Sequence, residues 1–246
     1  MIALCVSIGV LCYAPGRGDH NTIGTQPTPV RCNAEHARRC PHMGRQVVSG
    51  KGGVRVQSSG DNGTVLVLAS GGIDSTACLS FFLGRGSRVN ALFLDYGQPA
   101  VSQEEQAVTA ICAHYDVPLA KVTCSGLGEI AGGLVVGRNA FLLYAALMAI
   151  GVRPGMVGIG IHHGTTYPDC TEQFLHIMQS SFDLYTDGRV IINAPFLDWS
   201  KPMIWDYCKT TNVPLHLTYS CELGREQPCG ECLSCRDLEA LYAGED

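Results

Sequence analysis

The chain has 246 residues, 46% of them hydrophobic, with a net charge of −5 and a pI near 5.9. That is enough chain for one large domain, or a domain with an appendage, around a sizeable core. The acidic balance lacks the basic surplus with which DNA and tRNA enzymes meet phosphates, so a small-molecule substrate is expected rather than a nucleic acid. No run reaches the roughly 18 apolar residues of a membrane-spanning helix.

Residues 1–63 differ from the rest. After "MIALCVSIGVLCYA", which lacks the basic stretch that precedes a signal-peptide core, the chain is rich in Gly, Arg, Pro and polar residues and has no clear period. This stretch is expected to be a poorly ordered N-terminal extension. Its cysteines, Cys5, Cys12, Cys32 and Cys40, lack metal-site spacing.

From Thr64 the pattern becomes regular. "TVLVLA" (64–69) is an apolar run of strand type, and "STACLSFFL" (75–83) carries apolar residues at helical spacing. "VNALFLDYG" predicts a second strand. "SQEEQAVTAICAHY" predicts a helix with a Ser N-cap and an acidic first turn. The alternation continues with strand "LAKVTC", the apolar helix "RNAFLLYAALMAI", strand "GMVGIGI", helix "TEQFLHIMQSSFDLY", strand "RVIINAP" and helix "SKPMIWDYCKT". Apolar strands alternating with helices predict a doubly wound α/β domain over 64–246, its parallel sheet covered on both faces. Ligands of such folds sit beyond the carboxyl ends of the strands.

One such junction is "SGGIDST", comprising Ser70, Gly71, Gly72, Ile73, Asp74, Ser75 and Thr76. Between a strand and a helix, backbone N–H groups form a nest for an anion. Two glycines allow positive φ and close approach to phosphate oxygens. Ser70 and Ser75 add hydroxyls, while Asp74 orients the turn or meets a magnesium ion. The string is neither a Walker A loop nor G-x-G-x-x-G.

Four of the thirteen cysteines, Cys221, Cys229, Cys232 and Cys235, follow C-x7-C-x2-C-x2-C. Four thiolates at this spacing close a tetrahedral zinc shell with no open position, which predicts a structural site; an iron–sulfur cluster uses the same ligands. The chain is too large and core-rich to need disulfide staples, so a reducing cytoplasm is expected. Cys78, Cys112, Cys124 and Cys208 fall within helix or strand patterns and are expected in the core.

The string S-G-G-x-D-S resembles the pyrophosphate loop of N-type ATP pyrophosphatases. Together with the cysteine cluster it is similar to the 7-cyano-7-deazaguanine synthases. "LFLDYGQ" (92–98), "VVGRN" (135–139), "YPDC" (167–170) and "TYSC" (218–221) extend the likeness over most of residues 64–241. The resemblance implies an adenine nucleotide alpha hydrolase-like fold and an ATP-dependent ligase. That enzyme converts 7-carboxy-7-deazaguanine and ammonia to the nitrile, a queuosine and archaeosine precursor, by adenylating the carboxylate. ATP, Mg2+ and Zn2+ are the implied cofactors, and a homodimer is the expected assembly.

It further implies that residues 70–76 hold the ATP phosphates, with Asp74, Arg138 and Lys201 in catalytic positions. Arg138 and Asn139 open an apolar helix and would contact phosphate or substrate carboxylate, or merely cap it. Asp169 would accept the N–H edge of a guanine-like base, or else cap the following helix. Lys201 would neutralise phosphate charge, or lie on the surface. Two features depart from the family. The connection before "GRN" is short, and "GIHHGTT" puts His162 and His163 where an acidic and an aromatic residue are usual; His163, like Asn139 and Asp169, is expected to contact substrate. These departures leave open a paralogue with another acceptor, or a non-catalytic nucleotide-binding zinc scaffold.

Overall fold

The computed structural model describes residues 63–244 apart from 129, 131, 132, 152 and 166. The expected extension over 1–63 lies, but for residue 63, outside the described residues, as do Cys5, Cys12, Cys32 and Cys40.

Among the described residues, five parallel strands form one sheet: β1 (Thr64–Leu68), β2 (Arg88–Asp95), β3 (Leu119–Thr123), β4 (Gly155–Gly158) and β5 (Val190–Asn193), in the order β3-β2-β1-β4-β5. Side chains alternate across the pleat, so Val65 and Val67 of β1 face one side and Leu66 and Leu68 the other. The register sets Val65 beside Val89 of β2, and places Leu66 between Asn90 of β2 and Val157 of β4.

Helices cover both faces of the sheet. On one face, α1 (Ile73–Gly84), α2 (Val101–His114) and α5 (Lys201–Thr210) bury Leu79, Val108 and Ile204 against Val67 and Phe93. On the other, α3 (Arg138–Ile150) and α4 (Glu172–Thr186) bury Leu143 and Phe182 against Leu66, Leu92 and Val157. The doubly wound parallel fold expected from the alternation is the one observed. The predicted elements all form, with shifts of a few residues at their ends. The alternation did not signal α6 (Leu233–Ala243), the helix after the cysteine cluster; Tyr242 anchors it edge-on to Trp205 with ring centroids 5.0 Å apart.

β3 departs from the apolar pattern because it is an edge strand. Ala120 to Thr123 are exposed, and Lys121 pairs with Glu105, a charged edge that discourages pairing with another sheet. Cys78, Cys112 and Cys208 are buried, and burial pushes the thiols of Cys112 and Cys208 up to about 11 and about 12. Cys124, at the end of the edge strand, is only half-buried.

The chain turns back at β1. β2 and β3 lie to one side of it, β4 and β5 to the other, so the carboxyl ends of β1 and β4 flank a crevice at the switch point.

Candidate active site

The turn after β1 lies in that crevice. Gly71 has φ +80°, and a Cβ there would lie 2.8 Å from both the Cβ of Ala107 and the carbonyl of Glu104, so only glycine lets α2 press on the turn. Gly72 is the N-cap of α1. Its carbonyl accepts from the hydroxyls of Ser75 at 3.1 Å and Thr76 at 2.8 Å. The Ser70 N–H donates to Ser75 Oγ at 3.2 Å. Ile73 is buried below the turn. The result is a rigid loop at a helix N-terminus, an electrostatic environment suited to an anion.

Asp74 stands in the first turn of α1, and Lys201 is the first residue of α5. Although 127 residues apart, they meet: Lys201 Nζ donates to Oδ1 at 2.6 Å and to Oδ2 at 2.7 Å. The α5 cap aims this lysine, since Ser200 Oγ accepts from the Met203 N–H. Gly160, after β4, closes the same corner; a Cβ on it would reach 2.5 Å from the Asp74 carbonyl.

His162 completes the group. It is 6% exposed, and its Nδ1 accepts from the Gly164 N–H at 3.1 Å. That bond leaves the proton of the neutral ring on Nε2, 3.8 Å from Asp74 Oδ2. Burial lowers its pKa; Asp74 opposes that shift, and Lys201 reinforces it. His163 does not enter the crevice. It is exposed, with Nδ1 3.2 Å from the Leu197 carbonyl.

A cleft of about 270 Å³ opens over this group, and a second lobe of about 230 Å³ runs down past Leu94, Leu142 and Ile159. Ser70, Asp74, Tyr96, Glu104, Arg138 and Asn139 line both. Arg138 heads α3, and its charge acts on the Tyr96 hydroxyl, offsetting part of the upward shift that burial imposes on that group. Asn139 is buried, its side-chain amide donating to the Asp169 carbonyl at 3.1 Å while its backbone N–H donates to Asp169 Oδ2 at 3.3 Å. Asp169 thus ties the "YPDC" turn to the start of α3 and does not line the cleft, whereas Tyr167 and Cys170 do. Nor does it cap α4, where Thr171 accepts from the Phe174 N–H.

Tyr96, Gln98 and Glu104 were not singled out as site residues by sequence reasoning. Tyr96 and Gln98 belong to the "LFLDYGQ" segment. Glu104 carried only the signal of an acidic first turn, which usually serves the helix dipole. Burial raises the Glu104 pKa, against the opposing effects of the Gln98 hydrogen bond and the Arg138 charge.

The four cysteines after β5 converge, with their sulfurs within 4.8 Å of one another. Cys221 and Cys235 are buried; Cys229 and Cys232 are half-buried. Backbone N–H groups of Glu231 and Cys232 point at Cys229 Sγ at 3.4 and 3.3 Å, an arrangement that favours thiolate. For Cys221, burial opposes ionisation, but hydrogen bonds led by the N–H groups of Cys229 and Leu223 bring the thiol down, whereas burial pushes the Cys235 thiol up. A tetrahedral ion with metal–sulfur bonds of about 2.3 Å spaces its ligands about 3.8 Å apart, and Cys229 and Cys235 sulfurs are 3.8 Å apart. The set fits a bound metal ion. Just before it, the Tyr219 N–H donates to the Gly71 carbonyl at 2.9 Å, linking this segment to the turn after β1. No described helix is long and apolar enough to cross a membrane.

The family model described as "Queuosine biosynthesis protein QueC" matches residues 64–136 and 128–243. A 7-cyano-7-deazaguanine synthase from Oceanobacillus iheyensis is 32% identical over 198 residues, 70% of this chain and 89% of that one. Another from Acetivibrio thermocellus is 34% identical over 196 residues, 69% and 88% of the two chains. Among solved structures, the U34-tRNA thiolase NcsA from Methanococcus maripaludis overlays 75% of this chain and 66% of its own at a TM-score of 0.47 and 17% identity. With the turn, the cleft and the cysteine cluster all inside the matched span, the chain belongs to the QueC family of queuosine biosynthesis proteins.

Proposed function

We propose that this chain is an ATP-dependent carbon–nitrogen ligase that makes 7-cyano-7-deazaguanine from 7-carboxy-7-deazaguanine and ammonia. The observation that carries the reading is the Asp74–Lys201 pair set against the rigid 70–76 turn in one cleft. A carboxylate resists ammonia because its leaving group would be oxide. Attack of its oxygen on the α-phosphorus of ATP releases pyrophosphate and leaves an acyl adenylate. Ammonia then displaces AMP to give the amide. A second adenylation, on the amide oxygen, lets that oxygen leave with AMP as the nitrile forms.

The N–H groups of the turn would hold the phosphates, and Lys201 would transfer from Asp74 to the charge that develops on them. That transfer would free the Asp74 carboxylate for a magnesium ion, which screens the phosphates when bound. Arg138 and Asn139, at the start of α3, would position the acceptor. The four cysteines would hold zinc as a structural ion. Residues 64–246 would form the catalytic domain, with 1–63 as an extension, working as a homodimer in the cytoplasm.

The test combines purified protein, Mg-ATP, ammonium and 7-carboxy-7-deazaguanine, with products followed by mass spectrometry. The nitrile mass should require all of the small molecules and vanish in Asp74→Ala. The buried His162 favours one second reading, a paralogue that adenylates another acceptor. ATP binding without amide or nitrile would select it.

A further inference from the structure

We infer that Glu104 is the specificity-determining residue for the base, its carboxylate reading the paired N–H donors of a guanine-like acceptor. The inference rests on the proposed function and assigns a residue within it. A carboxylate suits the adjacent ring N–H and exocyclic amine of a guanine edge, because both are donors and an ionised carboxyl is acceptor-only. Asp169 is not available for this. Its Oδ2 is taken by the Asn139 N–H, its Oδ1 is closed off from solvent, and it lies outside both lobes of the cleft.

Glu104 lines both lobes and is fixed in place. Gln98 Nε2 donates to Glu104 Oε2 at 2.8 Å. Gln98 is itself buried and locked, giving a second bond to the Leu94 carbonyl at 3.1 Å and accepting from the Tyr96 N–H at 2.9 Å. Among the described residues, Glu104 Oε1 accepts no hydrogen bond, and Arg138 attracts the carboxylate without coming within ion-pair distance. A held acceptor and a nearby guanidinium therefore face the same lobe. The acceptor matches the N–H edge, and the guanidinium matches the carbonyl oxygen beside it on a guanine-like ring. A carboxylate whose only task was to favour the α2 dipole would gain nothing from being withdrawn from water onto a buried glutamine.

ATP offers a rival explanation that chemistry separates. Adenine presents one donor and one acceptor on the corresponding edge, a pattern that glutamine satisfies and that an ionised carboxylate does not. Glu104→Gln should therefore bind α,β-methylene-ATP as the wild type does while the KM for 7-carboxy-7-deazaguanine rises about 10- to 100-fold, the scale of hydrogen bonds to a charged group. The wild type should discriminate against the analogue lacking the exocyclic amine, and the variant should lose most of that discrimination. Glu104→Asp, which keeps the charge but withdraws it by a methylene, provides the same test should the glutamine variant fail to fold.

An unchanged KM in a folded variant, or a loss of nucleotide affinity equal to the loss for the acceptor, overturns the assignment alone. No turnover of 7-carboxy-7-deazaguanine by the wild type overturns the proposed function and this assignment together.

Discussion

Gly71 shows how one residue constrains the site. Its φ of +80° and the 2.8 Å approach of Ala107 and Glu104 leave no room for a side chain. Gly71→Ala should cost about 2–5 kcal/mol, combining backbone strain with overpacking, and should abolish ATP binding; urea unfolding and nucleotide titration read the two effects. Glu104 gives a pH signature. Burial raises its pKa, so acceptor binding that needs the ionised carboxylate should weaken on acidification at a pH above the usual carboxylate range. The charged and titratable groups facing it are Arg138 and Tyr96. The acid limb of kcat/KM should be missing from Glu104→Gln, and its persistence there would point to another group. The same shift bears on stability with the opposite sense from a paired carboxylate. The folded chain holds this proton to a higher pH than the unfolded chain, so stability falls as pH rises through that window.

At the scale of elements, helix starts do most of the positioning. Ser200 caps α5 and presents Lys201 to Asp74; Ser200→Ala should cost about 1 kcal/mol and lower kcat more than it raises the KM for ATP. Asn139 joins the start of α3 to the "YPDC" turn, so Asn139→Ala should destabilise by about 1–3 kcal/mol through loss of buried hydrogen bonds. The lowered unfolding midpoint would accompany weaker acceptor binding. These helix starts were legible because caps, periodicity and glycine turns are local signals. The alternating apolar runs marked strands and helices, and "SGGIDST" marked the loop. β3 was only partly legible: its exposure follows from a place at the sheet edge, which no local pattern encodes. α6 follows directly on the cysteine spacing, which marks the segment as a metal site rather than a helix; its Leu238 and Leu241 pack on the core and Tyr242 meets Trp205 of α5.

Across the whole molecule, the Tyr219–Gly71 hydrogen bond joins the segment of the cysteine cluster to the turn after β1. Removing the metal with a strong chelator should lower the unfolding midpoint and also weaken ATP binding, with both restored by zinc. Loss of stability with unchanged nucleotide affinity would show the cluster to be an independent staple. The strand–helix alternation, the glycine turn after β1 and the four clustered cysteines are all readable along the chain, because the residues that make each of these are close in sequence. The Asp74–Lys201 pair, the turning of His162 rather than His163 toward it, and the placement of Glu104 in the cleft while Asp169 pins a helix arise only on folding. Adjacent loop residues point in different directions, and partners as much as 127 residues apart meet only once the sheet has set the direction of each loop.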